Sequence, residues 1–141
     1  MTLDEFAATL DHPDWQSLFR GLLTPLGTIG VQAAQQAAPS RTGTLRSSIH
    51  ADVQADRIAL RADAPWAAYV NDGTRPHTIY PRNATVLRFT LGGQVVFARV
   101  VQHPGTRPYA FMEAGQAAMD AALPALWRTT VKAWLGAWGA S

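Results

Sequence analysis

The chain has 141 residues, 48% of them hydrophobic and 16% charged, with a formal net charge of +2 and no cysteine. That length suits one domain with its own core, and the missing cysteines exclude a disulfide framework, a thiolate nucleophile and cysteine-ligated zinc. No apolar run reaches the ~18 residues that a bilayer-spanning helix needs, and so few charges on so apolar a chain predict buried subunit contacts.

The start, Met1 to Glu5, is acidic and lacks a signal pattern, so a protein made and kept in the cytoplasm, without a membrane partner, is expected. Leu3, Phe6, Ala7 and Leu10 have helical spacing up to Asp11-His12-Pro13. A second helix starts at Pro13, with Trp15, Leu18, Phe19, Leu22, Leu26 and Ile29 on one face, and runs into the alanines up to Ala38. Pro25 is expected to kink or divide it. Residues 1–40 hold four acids and one arginine, whereas residues 41–110 hold nine arginines and four aspartates. Lys132 is the one lysine, a bias that suits guanidinium contacts and that a GC-rich genome would also produce.

Pro39 to Ser48 is polar and turn-rich. Ile49, Ala51 and Val53, then Ile58, Leu60 and Ala62, alternate around a turn at Ala55-Asp56 and predict a half-buried hairpin, with Arg57 and Arg61 pointing away from the core. Pro65 to Val70 suits a short helix. The tetrapeptide Gly-Thr-Arg-Pro follows at Gly73, Thr74, Arg75 and Pro76 and returns at Gly105, Thr106, Arg107 and Pro108, with His77 after the first copy and His103 before the second. Glycine permits positive φ and proline holds the preceding arginine out of the helical region, so each copy predicts a turn into an extended segment that presents arginine. The copies are either two ordinary turns of an arginine-rich chain or two stiff loops made for a partner.

Val86 to Leu91 and Gln94 to Val101 flank Gly92-Gly93, a two-residue hairpin turn. The implied register sets Leu91 against Gln94, Phe89 against Val96 and Leu87 against Ala98, with Arg88 against Phe97 and Val86 against Arg99 on a mixed second face. From Tyr109 on, Phe111, Met112, Met119, Leu123, Leu126, Trp127, Val131, Trp134, Leu135 and Trp138 make a long helical pattern interrupted by Pro124. Trp134 and Trp138 belong either to the core or to an interface. The fold expected is a single α+β domain over 1–141: helical to 38, β-rich with two extended loops over 39–110, and a C-terminal helix over 111–141. Its antiparallel sheet of two hairpins packs against the N-terminal and C-terminal helices.

Catalytic constellations are weak. The histidines at 12, 50, 77 and 103 have no metal-ligand spacing, and none neighbours a serine in a nucleophile elbow. Only His77 and His103 border the repeated loops, where a convergence with Asp72 would make ligands or an acid–base pair. No cofactor or metal is expected. The central arginines suit nonspecific phosphate contact, yet no nucleic-acid reading module is present.

Three ordered segments carry a resemblance: Ala38-Pro39 with Thr42 to Ile49, Ala67 to Thr74, and His103 to Met112. Together, over about residues 30–120, they resemble the minor tail-component family of tailed bacteriophages, small neck or tail-completion proteins. Asn71-Asp72 departs from the family, which commonly has glutamate just before Gly-Thr. The resemblance implies a structural virion protein and not an enzyme: a homo-oligomeric ring, taken as a hexamer, at the head–tail junction around the DNA channel. Its implied partners are head-closure or adaptor proteins, tail-terminator or tail-tube proteins, and passing DNA by nonspecific contact. On that reading Gly73, Thr74, Arg75, His103, Gly105 and Arg107 dock neighbours, Arg41 and Arg46 bracket a segment that orders on assembly, and Trp134 and Trp138 are candidate contacts. A nonspecific nucleic-acid-binding module is the alternative, and a small hydrolase using His77 or His103 a third reading.

Overall fold

The structure, a computed structural model, describes residues 2–4, 14–41 and 43–138. The expected first helix over Leu3 to Leu10 lies almost wholly outside the described residues, as do Pro13, Thr42 and the side chain of Trp138. The elements in chain order are α1 (Trp15–Ala37), α2 (Thr44–Ser48), β1 (Ile49–Val53), β2 (Ile58–Ala62), α3 (Ala67–Asp72), β3 (His77–Ile79), β4 (Leu87–Leu91), β5 (Gln94–Ala98), β6 (Val101–His103) and α4 (Phe111–Trp138). This is the α+β architecture that the hydrophobic periodicity predicts. Among the described residues no helix is long and apolar enough to cross a membrane.

The two long helices lie antiparallel. Trp15 stacks on Trp134 at one end, with ring centroids 5.4 Å apart, and Gly30 and Gly115 meet near the other. A Cβ on Gly30 would stand 2.7 Å from Met119 Sδ, and one on Gly115 would stand 2.8 Å from the Gly30 carbonyl oxygen. Missing side chains at these points let the helices approach closely. Leu18, Leu22, Leu23 and Leu26 are buried along α1.

Of the kink or division expected at Pro25, the division does not occur, nor does the interruption expected at Pro124: α1 is continuous through Pro25 and α4 through Pro124. The four leucines around Pro25 explain the first case. Their burial, at ~1.5–3 kcal/mol each, exceeds the ~3 kcal/mol that a helix-interior proline costs.

β1 and β2 form the expected hairpin, with Ile49 opposite Ala62 and Val53 opposite Ile58. It packs on α1 at Gly27, where a Cβ would stand 2.8 Å from Ile58 Cδ1 and 2.9 Å from Ala51 Cβ. Its outer face carries the Arg61–Asp52 ion pair at 3.2 Å, and exposed Arg57 pairs with Asp56. The core centres on Phe111, Ala34, Leu45 and Ile49, all buried, with Val70 and Met112 against them.

β4 and β5 pair in the register that Gly92-Gly93 implies, from Leu91 with Gln94 to Leu87 with Ala98. The expected strand to Val101 is cut short, however. It ends at Ala98, so the Val86–Arg99 pair is absent from the ladder, and the chain re-enters a strand at Val101 to pair with β3. The described residues therefore hold three two-stranded ribbons, β1–β2, β3–β6 and β4–β5. The mixed face of β4–β5 is largely bare, with Phe97 62% exposed.

Candidate functional site

The two Gly-Thr-Arg-Pro segments, 32 residues apart in sequence, are partners. Thr74 and Thr106 form an antiparallel bridge, and the same register continues through His77 opposite His103 to Ile79 opposite Val101. Within it the motifs match head to tail: Gly73 stands opposite Arg107, and Arg75 opposite Gly105. Pro76 and Pro104 fall between Thr74–Thr106 and His77–His103, where their missing N–H groups interrupt the ladder. Both glycines take positive φ, 73° and 82°. A Cβ on Gly73 would meet the Thr106 carbonyl oxygen at 2.5 Å, and one on Gly105 would come closer still to that of Thr74. Glycine is required twice over, by conformation and by space.

The histidines are part of this bracket. Their rings lie 5.0 Å apart at 30°. Nδ1 of His77 is 2.8 Å from the Arg75 carbonyl, which only accepts, so that nitrogen carries the proton. Nδ1 of His103 accepts from the Gly105 amide at 3.0 Å. Each ring thus braces its own loop. Asp72 is engaged elsewhere: its carboxylate accepts from Asn71 Nδ2 at 2.8 Å. Among the described residues no three His, Cys, Asp or Glu side chains come together to hold a metal.

Asn71, 8% exposed, is a residue that sequence reasoning noticed only as a departure from the family. Its Oδ1 accepts from the Met112 amide at 2.9 Å, its backbone carbonyl accepts from the Ala110 amide at 3.0 Å, and its Nδ2 donates to Glu113 at 3.1 Å. It therefore serves as a helix cap for α4 from 41 residues away. The Val70 carbonyl also accepts from the Tyr109 amide at 3.1 Å, so the chain on both sides of the paired loops is fastened. Ala110, at φ 50°, is held in the left-handed region by this arrangement.

The bracket forms one wall of a groove of about 970 Å³. Thr74, His77, His103, Thr106 and Arg107 line it, together with Arg41, Trp66, Tyr69 and Tyr109. All three aromatic residues are largely exposed, Tyr69 at 65%. Arg75 is exposed on the bracket but does not line the groove. Arg46 lies elsewhere: its Nε donates to the Ala38 carbonyl at 2.9 Å, and its own carbonyl accepts from Gln35, which ties the 38–46 segment to the end of α1. Trp134 is half-buried against Trp15 at the far end of the helix pair, away from the loops. Of the candidate residues, the fold thus gathers Arg41, Gly73, Thr74, Arg75, His103, Gly105 and Arg107 and separates Arg46 and Trp134 from them.

The family model described as Bacteriophage HK97-gp10, putative tail-component, matches residues 4–73. The match takes in the first resembling segment and all of the second but Thr74, so His103 to Met112 lies beyond it. No curated protein and no solved structure matches the chain significantly. The matched segment, just under half of the chain, runs from before α1 through the β1–β2 hairpin to the end of α3, and it is similar to the HK97-gp10-like family of putative bacteriophage tail components.

Proposed function

We propose that this chain is a structural subunit of the phage neck, resident in the virion, which assembles as a homo-oligomeric ring at the head–tail junction, surrounds the DNA channel and joins or completes the tail. A hexamer sets the ring size in this reading. Its neighbours are head-closure or adaptor proteins on one side and tail-terminator or tail-tube proteins on the other, with DNA passing by nonspecific contact.

One observation carries the proposal: the paired loops form a bracket, fastened at both ends, that holds Arg75 and Arg107 out on exposed backbone. Ordering two loose arginine loops on binding would cost conformational entropy at every residue, whereas loops already paired meet a partner with that cost met by folding. The exposed apolar side chains of the β4–β5 ribbon, Leu91, Val95 and Phe97, add contact area of the kind that assembly buries.

The test is head–tail joining in vitro with purified heads and tails and the double variant Arg75→Ala/Arg107→Ala. Joining at least tenfold slower is expected. Joining at the normal rate would remove these arginines from the docking surface, and a wild-type chain that neither forms a ring nor is found between head and tail would end the neck reading itself.

A further inference from the structure

We infer that the groove beside the paired loops is the seat of the acidic N-terminal segment of a second copy of this chain. This deepens the ring reading and rests on it. Two arginines, Arg41 and Arg107, line the groove together with three exposed aromatic residues, and among the described residues no aspartate or glutamate lines it. Its complement is a segment with carboxylates and apolar side chains interleaved.

Residues 2–14 have that character: Asp4, Glu5, Asp11 and Asp14 without a lysine or arginine, and Leu3, Phe6, Ala7 and Leu10 at helical spacing. Leu3 is 86% exposed, so its own copy leaves it uncovered. Guanidinium–carboxylate pairs and apolar contact with aromatic faces are the two interactions such a segment would make in the groove.

The placement of the two surfaces argues for a second copy. α1 begins beside Trp134, at the C-terminal end of α4, and ends at Ala37, next to the groove-lining Pro39 and Arg41. Its 23 residues span roughly 34 Å at the helical rise of about 1.5 Å per residue. The acidic segment is therefore joined to α1 at one end of the helix, and its complement lies at the other. Complementary surfaces at opposite ends of one subunit make heterologous, head-to-tail contacts, and these close into a ring when the rotation permits.

The experiment titrates a fluorescent peptide of residues 2–14 into the full chain and follows its anisotropy. Saturable binding is expected, weakened at least tenfold by Arg41→Glu/Arg107→Glu and by raising salt from about 0.05 to 0.5 M, since exposed ion pairs are screened. Both arginines are exposed, and an unchanged thermal midpoint verifies that the variant is folded. No saturable binding, or binding insensitive to the two substitutions, overturns the inference. So does equal binding of a scrambled peptide of the same composition, which would make the groove a seat for any acidic chain, and so does occupation by the copy's own segment, seen as intramolecular crosslinks alone from a photoreactive residue at position 3. Ring mass is measured separately: a ring that forms equally well with Leu3→Asp overturns this contact and leaves the ring standing, whereas peptide binding by a chain that neither forms a ring nor is found between head and tail upholds the contact and removes the neck reading.

Discussion

Thr74 and Thr106 exchange both backbone hydrogen bonds, each 3.0 Å long, and their hydroxyl oxygens lie 3.1 Å apart. Their neighbours Gly73 and Gly105 permit that closeness. Gly73→Ala or Gly105→Ala should destabilise the protein by roughly 2–5 kcal/mol, because a positive-φ penalty adds to a clash with backbone that cannot swing aside. Gly43→Ala is the control: φ is 74° there too, but nothing lies within 4 Å of the added Cβ, and a loss of only about 1–2 kcal/mol is expected. Urea titration reads all three. Equal losses would mean that the loop pairing contributes no steric constraint.

Asn71→Ala removes the acceptor from the partly buried Met112 amide and should cost about 1–3 kcal/mol. Amide exchange at Met112 should accelerate with it. Asn71→Asp keeps an acceptor for Met112 but sets a third carboxylate beside Asp72 and Glu113, so it should recover only part of the stability. Full recovery would make the bonds donated by Nδ2 unimportant.

Two glycines of α4 should respond with opposite sign. Alanine at Gly115 would crowd Leu60 and the Gly30 carbonyl, and overpacking of about 1–3 kcal/mol outweighs the helix-propensity gain of ~1 kcal/mol. At Gly136 nothing among the described residues lies within 4 Å, so the gain of about 0.8–1 kcal/mol stands alone. Thermal unfolding of the two variants checks the sign; a stable Gly115→Ala protein would mean that α1 and α4 separate more easily than their packing implies.

Phe97→Ser should leave the isolated chain within about 0.5 kcal/mol of wild type, as expected for an exposed side chain. Its effect belongs to assembly. Under the neck reading, head–tail joining falls severalfold while the thermal midpoint is unchanged; a large drop in the midpoint would place Phe97 in the fold instead of on an interface.

Local signals were legible wherever a short stretch holds all the information. The Gly92-Gly93 turn leaves its two strands one register, and Leu91 with Gln94, Phe89 with Val96 and Leu87 with Ala98 follow residue by residue. The β1–β2 alternation is of the same kind. By contrast, Pro25 and Pro124 carry strong local signals for a break that the α1–α4 packing overrides. Gly30 and Gly115 had no signal at all, since a glycine that admits a partner helix looks in sequence like any other.

The sequence by itself determined the long helices, the two hairpins, the register around Gly92-Gly93 and the extended, positive-φ character of both Gly-Thr-Arg-Pro segments, because these depend on hydrophobic periodicity, on the covalent limits of glycine and proline and on the two-residue pleat. Only the tertiary structure decided that the two segments pair with each other, that Asn71 caps a helix 41 residues away, and that Arg41 and Arg107 line one groove while Arg46 is turned to the end of α1. The reason is physical: a backbone hydrogen bond or a cap has the same local chemistry whatever its partner, and the partner is chosen when the core around Phe111 brings distant stretches of chain together.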